Sequence, residues 1–152
     1  MAISSAICNT FKRDLLKGKH DFDSSGGDTF KIALYTSSAS LGASTTDYSA
    51  TNEITNTSGS AYTAGGETLT NNGVTGGSGA STAYVDFADA QWTSASFTAN
   101  GALIYNTTTD GGSGTTDAVC VLAFGGDFTA SNGTFTVQFP AANTSDAIIR
   151  IS

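Results

Sequence analysis

One stretch of the sequence begins like a metal site, an Asp-x-Asp-x-Ser-Gly pattern that starts at Asp21. Alternating oxygen donors followed by glycine open the calcium loop of an EF-hand, which needs a bidentate glutamate at its twelfth position. That position is Ile32, whose side chain has no oxygen to bind calcium. The segment is therefore predicted to be an acidic turn, and we expect no metal site.

The single histidine, His20, lacks the partners that nucleophilic catalysis requires. No G-x-S-x-G motif supplies a serine for it to activate. A glycosidase needs two carboxylates in one cleft, and spacing alone gives no reason to pair Glu67, Asp86 and Asp89. The sequence thus predicts neither an enzyme nor a cofactor, and we interpret His20 as an exposed charge after a helix.

The single tryptophan, Trp92, leaves two interpretations open. An exposed indole can stack on a sugar ring, which would indicate a carbohydrate-binding β module. A buried indole contributes to the core, and with one tryptophan in the chain this interpretation is favoured.

The composition is poor in charge and rich in hydroxyl groups. The 152 residues suit one domain, but only 12% are charged, against about 25% in an ordinary soluble domain. Twenty-four threonines and 19 serines take over the solvating role. No apolar run approaches a membrane span and no secretory core follows Met1, so we expect synthesis in the cytoplasm. Cys8 and Cys120 are accordingly predicted to be reduced and buried.

The net charge of −7 hides a strong asymmetry. Four of the six basic residues fall within eight positions, where Asp14 is the one acid, for a local charge of +3. The rest of the chain has two cations against twelve carboxylates, or −10. A body of that charge repels phosphate and anionic lipid, so we expect no nucleic-acid or membrane partner. The basic segment is expected to meet an acidic protein surface, with a merely solvated helix face as the alternative.

Residues 4–17 are predicted to form an amphipathic helix. Ser4 or Ser5 can cap its start, and Gly18 stands where a left-handed residue ends a helix. Apolar side chains recur at helical spacing along one face. This face comprises Ile7, Cys8, Phe11, Leu15 and Leu16.

We predict two parts, a docking arm at residues 1–20 and a β domain at residues 21–152. The arm is expected to contact a neighbouring subunit, because an isolated helix of about four turns is marginal in water. The alternative is that the helix covers an open end of its own sandwich. The residues assigned to docking are Ile7, Phe11, Lys12, Arg13, Leu15, Leu16 and Lys17.

After the helix, short runs of alternating apolar and polar residues are separated by Asn-Gly, Gly-Gly-Asp and similar turn sequences. About eight such runs predict a mainly β fold, an antiparallel sandwich or jelly roll. Residues 118–124 are continuously apolar, which is typical of a central strand buried on both faces. The predicted core consists of Ile32, Leu34, Val85, Phe87, Leu103, Val119, Val121, Phe135, Val137 and Ile149.

The order of several segments resembles a known family. The opening AICNTFKRDLLKGKHDF at residues 6–22 leads into DTFKIALY at 28–35, and WTSASFTANGALIYN follows at 92–106. FGGD at 124–127 and FTVQFP at 135–140 complete the pattern. Together these segments resemble a family of small structural proteins of tailed bacteriophages, common in cyanophages and other aquatic phages.

The resemblance implies a virion component without catalytic residues. We expect a capsid decoration, or cement, protein that docks on the major capsid protein. A tail, fibre or baseplate component is the alternative, and a carbohydrate-binding module is the second one. Charge-poor hydroxyl-rich faces and an arm opposite in sign to the body favour self-association through a head-to-tail contact. The position of decoration proteins at three-fold sites of capsids sets the expected number at three.

Overall fold

A computed structural model, which describes residues 2–55, 59–108 and 114–152, contains within those ranges two antiparallel sheets and one short helix. The large sheet has the strand order β1-β7-β6-β2-β3, and the small sheet has the order β4-β5-β8. The predicted mainly β, antiparallel fold is thereby confirmed, and the arrangement is consistent with a sandwich. The elements are β1 (Ala6–Ile7), α1 (Asn9–Leu16), β2 (Phe30–Tyr35), β3 (Glu67–Thr68), β4 (Asn71–Thr75), β5 (Ala83–Phe87), β6 (Ala90–Asn106), β7 (Ala118–Val137) and β8 (Ile149–Ile151).

The core forms where alternation in the sequence predicts it. All ten residues assigned to it are buried, and none is more than 9% exposed. β7 lies between β1 and β6, as predicted for a central strand, but only residues 118–121 of the predicted stretch 118–124 are buried, and residues 122–124 are half-buried. Cys8 and Cys120 are both free, buried thiols, as expected.

Strands β6 and β7 are longer than the sequence suggests. Where the alternation indicates two short strands on each side, the structure has continuous strands of 17 and 20 residues, paired from Ala90 with Val137 to Tyr105 with Ala118. Their register shifts at four points, and at the largest shift Asn100 alone faces residues 124–127. We call these four residues the β7 bulge. Its two glycines resemble a turn in sequence, but here they bend a strand without ending it.

The predicted helix at residues 4–17 is wrong at its start. Residues Ala6–Ile7 are a strand that pairs with β7, and the helix begins only at Asn9. The N–H of Cys8 donates to the carbonyl of Val119 at 3.0 Å, so the backbone here is committed to the sheet. Ser5 is not a cap, because its Oγ accepts the N–H of Ala123 on β7 instead. At the other end Gly18 has φ +69°, which confirms the predicted left-handed termination.

The N-terminal segment packs into the same core as the rest of the chain. Cys8 is fully buried and Phe11 is 2% exposed. The ring of Phe11 meets that of Phe22, beyond the predicted arm boundary, edge-on at 5.9 Å. These contacts agree with the alternative interpretation, in which the helix covers its own sandwich, and residues 1–20 are not a separate packing unit.

A buried carboxylate anchors the polar segment that follows β2. Glu53 is 6% exposed, and its Oε1 accepts the hydroxyl of Tyr62 at 2.6 Å and the N–H of Gly65 at 2.7 Å. Its Oε2 accepts the hydroxyl of Tyr48 at 2.6 Å. The Tyr62 oxygen in turn accepts the N–H of Leu34 on β2 at 2.9 Å. One side chain therefore connects two loop regions to the large sheet.

Gly66 is needed where this loop crosses β2. Its φ is +74°, and an added Cβ would overlap the carbonyl oxygen of Ile32. We expect Gly66→Ala to lower the free energy of unfolding by about 2–4 kcal/mol, because left-handed strain and overpacking both apply. Urea denaturation measures the loss. The matched control is Gly26→Ala, where φ is +84° but an added Cβ meets no described atom within 4 Å. Equal losses in the two variants would refute the role of the close approach.

Candidate functional site

The residues predicted to dock lie at different depths. Phe11 is only 2% exposed, because its ring packs against those of His20 and Phe22 in its own core, so it offers little surface to a neighbouring subunit. Ile7 and Leu15 are half-buried, and Leu16 is 91% exposed. Exposed positions are also held by the basic residues Lys12, Arg13 and Lys17.

Five of these residues border one groove on the surface, which runs between α1 and β8. We call it the α1/β8 groove. Its volume is about 300 Å³, at the low end of the range for small-molecule pockets. A neighbouring hollow continues it past Val74 and Tyr84. The groove is lined by Ile7, Phe11, Lys12, Leu15, Leu16, Ile149, Arg150 and Ile151.

The groove concentrates exposed apolar side chains. Large hydrophobic residues that are more than half exposed occur at four positions of the described residues. Three of them, Leu16, Ile151 and Val74, border the groove or the adjoining hollow, at 91%, 62% and 51% exposure. Single exposed hydrophobic residues are ordinary, but a contiguous group marks an interaction surface.

Two sheet edges border the same region. In the described part of the chain β1 is the last strand of the large sheet, and β8 is the last strand of the small one. Each strand thus has one side on which its backbone groups lack a neighbouring strand, and such edges are the positions at which another chain can add contacts.

Basic side chains surround the apolar lining. Lys12 and Arg150 line the groove, and Lys17 follows the exposed Leu16. None of the three forms an ion pair within the described ranges. Arg13 differs, because its guanidinium donates two hydrogen bonds to the carboxylate of Asp14, at 2.6 and 2.9 Å. The groove thus suits a partner that combines apolar side chains with carboxylates.

A second candidate is a buried polar cluster around His20. The prediction of an exposed charge is wrong, because His20 is 7% exposed and its ring lies 5.0 Å from that of Phe11. Its Nδ1 is 3.0 Å from the amide nitrogen of Asn106. That amide also donates to Asp28 at 2.6 Å, while its oxygen accepts the N–H of Thr108. These bonds fix the amide orientation, so Nδ1 is an acceptor and the ring proton lies on Nε2.

This cluster resembles a metal site in its residue types. Asp14, His20 and Asp117 offer ligand atoms within 4.8 Å of one another, and the buried Nε2 of His20 has no hydrogen-bond partner among the described residues. A metal-binding histidine donates its other ring N–H to an acceptor, whereas Nδ1 here faces a donor, the amide of Asn106. The carboxylate of Asp14 is also held by Arg13. The donor set does not fit a bound metal, and we assign none.

The cluster predicts a pH dependence of stability. Burial lowers the pKa of His20 below its ordinary value of 6.5, against the opposing influence of Asp117, Asp14 and Asp28. The unfolded chain therefore binds a proton more readily, and the stabilisation by neutral His20 is complete above pH 6.5 and is lost as the pH falls below it. We expect the urea concentration at the unfolding midpoint to decrease as the pH is lowered from about 7.5 to 5. His20→Gln should flatten this dependence, and an unchanged slope in that variant would contradict the assignment.

The other residues singled out in the sequence have structural roles. Asp21 Oδ1 accepts the N–H of Asp23, and Asp28 accepts that of Asp21, so the acidic segment is a turn closed by its own carboxylates. Trp92 is 1% exposed, which removes the feature on which a sugar-stacking role depends. Glu67 and Asp89 border one surface hollow. The carboxylate of Asp89 accepts the N–H of Phe139, however, and this gives Asp89 a structural role.

Sequence reasoning missed the side of the groove that β8 provides and the part of the adjoining hollow that β4 provides. Val74 is isolated in a polar stretch, and only the Ile149-Arg150-Ile151 alternation could have pointed to β8.

No helix in the described ranges has the length and apolar character that crossing a membrane requires. No family model, curated protein or solved structure matches the chain.

Proposed function

We propose that this protein is a structural subunit of a tailed-phage virion, a decoration protein that stabilises the capsid by docking on the major capsid protein and on copies of itself. The observation that carries the docking role is the α1/β8 groove with its adjoining hollow, where three exposed apolar side chains lie near cations that form no ion pairs in the described residues. The phage context rests on the resemblance in segment order.

The surface chemistry supports assembly. On the outer face of the β6–β7 pair, exposed hydroxyl residues stand opposite one another, and the hydroxyls of Thr98 and Thr129 are 2.7 Å apart. Neutral hydroxyl groups are less costly to desolvate than ions, which need ideal partners when an interface buries them. Many weak contacts become strong when they act together on a repetitive surface such as a capsid.

Localisation tests the proposal. An antibody against the purified protein is applied to particles of the phage that carries its gene and viewed by electron microscopy. We expect label on the capsid exterior, and label on the tail would replace decoration by the tail, fibre or baseplate alternative. Absence of the protein from purified particles would overturn the virion role.

The groove is tested by capsid binding. Leu16→Ser combined with Val74→Ser should weaken binding to capsids that lack the protein, because it removes two exposed apolar side chains from the docking surface. Thr93→Ser is the matched control, since Thr93 is exposed on β6 and does not border the groove. Equal binding of both variants would refute the role of the groove.

A further inference from the structure

We propose that the occupant of the α1/β8 groove is the β7 bulge region of a second copy of this chain. Phe128 of one copy enters the groove of the next, and Asp127 faces the cations beside it. This inference rests on the proposed structural role and names the partner of the docking surface.

The exposed apolar residues suggest this pairing. Of the four large hydrophobic side chains more than half exposed in the described ranges, three belong to the groove and its adjoining hollow. The fourth is Phe128, which is 54% exposed and directly follows the β7 bulge. Its ring stands edge-on to that of Phe124 at 6.3 Å, so part of it is supported from below while the rest faces solvent.

Charge disfavours the simplest alternative, in which two grooves face each other across a two-fold axis. Such a contact would bring the basic side chains of one groove against the same side chains of its copy. These are Lys12, Lys17 and Arg150. Like charges placed opposite one another in an interface repel and disfavour the contact. The partner surface must therefore be acidic as well as apolar.

The bulge region has both properties. Asp127 is exposed and adjoins Phe128, and its Oδ1 accepts the amide of Asn100 at 2.8 Å, which holds the carboxylate in place. The sequence has no lysine or arginine between Lys31 and Arg150, so no basic neighbour in the strand compensates this charge. A carboxylate beside an exposed ring is the complement of a groove with an apolar lining and a basic rim.

The two surfaces share no residue, so each copy carries one of each kind. A contact of this type is heterologous, and repeated copies close into a ring if the rotation between neighbours permits it. The size of the groove suits a single protruding side chain better than a folded element. The predicted trimer is the smallest such ring.

Disulfide trapping tests the pairing directly. Leu16→Cys and Phe128→Cys proteins are purified separately, mixed and oxidised, and both substitutions are on exposed positions where folding should tolerate them. We expect a crosslinked product that contains one chain of each kind. Cys8 and Cys120 are buried, so the unchanged protein serves as the control. A dominant product joining two Leu16→Cys chains would overturn the pairing in favour of a two-fold contact.

Charge reversal gives an independent readout. Asp127→Lys and Lys12→Asp, tested singly by sedimentation, should each weaken self-association about tenfold or more. The combination of both changes in one chain should restore a substantial part of the loss, because the exchanged charges face each other again. Thr93→Ala should leave association unchanged. Losses that simply add would refute the contact between Asp127 and Lys12.

The outcomes separate this inference from the proposed function. If the protein is found on virions and self-associates, but neither Leu16 nor Phe128 forms the mixed crosslink, the pairing is wrong and the structural role stands. If the pairing occurs in solution but the protein is absent from particles, the virion role is wrong and the interface stands. A protein that remains monomeric at high micromolar concentration overturns the pairing.

Discussion

Replacement of Glu53 by alanine is expected to lower the free energy of unfolding by about 3–5 kcal/mol. The change leaves three buried or half-buried donors without their acceptor, namely the hydroxyls of Tyr48 and Tyr62 and the N–H of Gly65. Burial, and next the hydrogen bond to Glu53, raise the pKa of Tyr62, so its hydroxyl remains a donor at neutral pH. Urea denaturation followed by circular dichroism measures the loss.

Two further variants make this result specific. Glu67→Ala removes the other glutamate of the chain, which lies exposed in β3, and should change stability by no more than about 0.5 kcal/mol. Tyr62→Phe removes one hydroxyl that both donates to Glu53 and accepts from Leu34, and should cost about 1.5–3 kcal/mol. If Glu53→Ala were as mild as Glu67→Ala, the buried carboxylate would not anchor the loops.

The second large effect is expected at Trp92. Trp92→Ala should lower the free energy of unfolding by about 3–5 kcal/mol, as truncation of a buried aromatic side chain does. Its indole packs edge-on against the rings of Phe97 and Phe135, at 6.3 and 6.2 Å between centroids. Thermal or urea unfolding measures the change, and a variant as stable as the unchanged protein would contradict the packing role of the indole.

Trp92→Phe is the informative companion. The indole Nε1 is buried without a hydrogen-bond partner among the described residues, so replacing it by phenylalanine forfeits no hydrogen bond. We expect a cost well below that of the alanine variant, limited to the volume of the missing ring. A loss equal to that of Trp92→Ala would indicate that Nε1 has a partner, such as a buried water molecule.

The features that were predictable from the sequence depend on local patterns. Alternation along a strand decides which face is buried, so Val85, Phe87 and Val137 could be assigned to the core without knowledge of their neighbours. The left-handed conformation of Gly18 is equally local, because it follows from a glycine after an apolar periodic stretch.

The features that were not predictable depend on pairs distant in sequence. The helix α1 begins later than predicted because Ala6 and Ile7 pair with Val121 and Cys120. No property of residues 4–8 reveals that partner. The buried His20 forms a hydrogen bond with Asn106, which lies 86 positions later. Glu53 is a single acid in a polar stretch, and its role follows from where Tyr62 and Gly65 come to lie.

The candidate site combines both cases. The helical spacing assigned Leu15 and Leu16 to the predicted docking surface. The same spacing also assigned Phe11 to it, but Phe11 is buried in the core. Whether an apolar residue on a helix faces its own sheet or solvent is decided by how far the sheet extends beneath it. Ile151 borders the groove and Val74 borders the adjoining hollow because of where the small sheet lies, which the sequence does not specify.

The pairing of Ala6 with Val121 also constrains the order in which the molecule is made. The partner of β1 leaves the ribosome about 115 residues after β1 itself, which takes roughly 6–23 s at a synthesis rate of about 5–20 residues per second. Throughout that interval the N-terminal segment has no strand to join, and an eight-residue helix is not stable alone. Its apolar side chains are then exposed, and the basic residues around Leu16 flank them as solubilising charges before β1 joins the sheet.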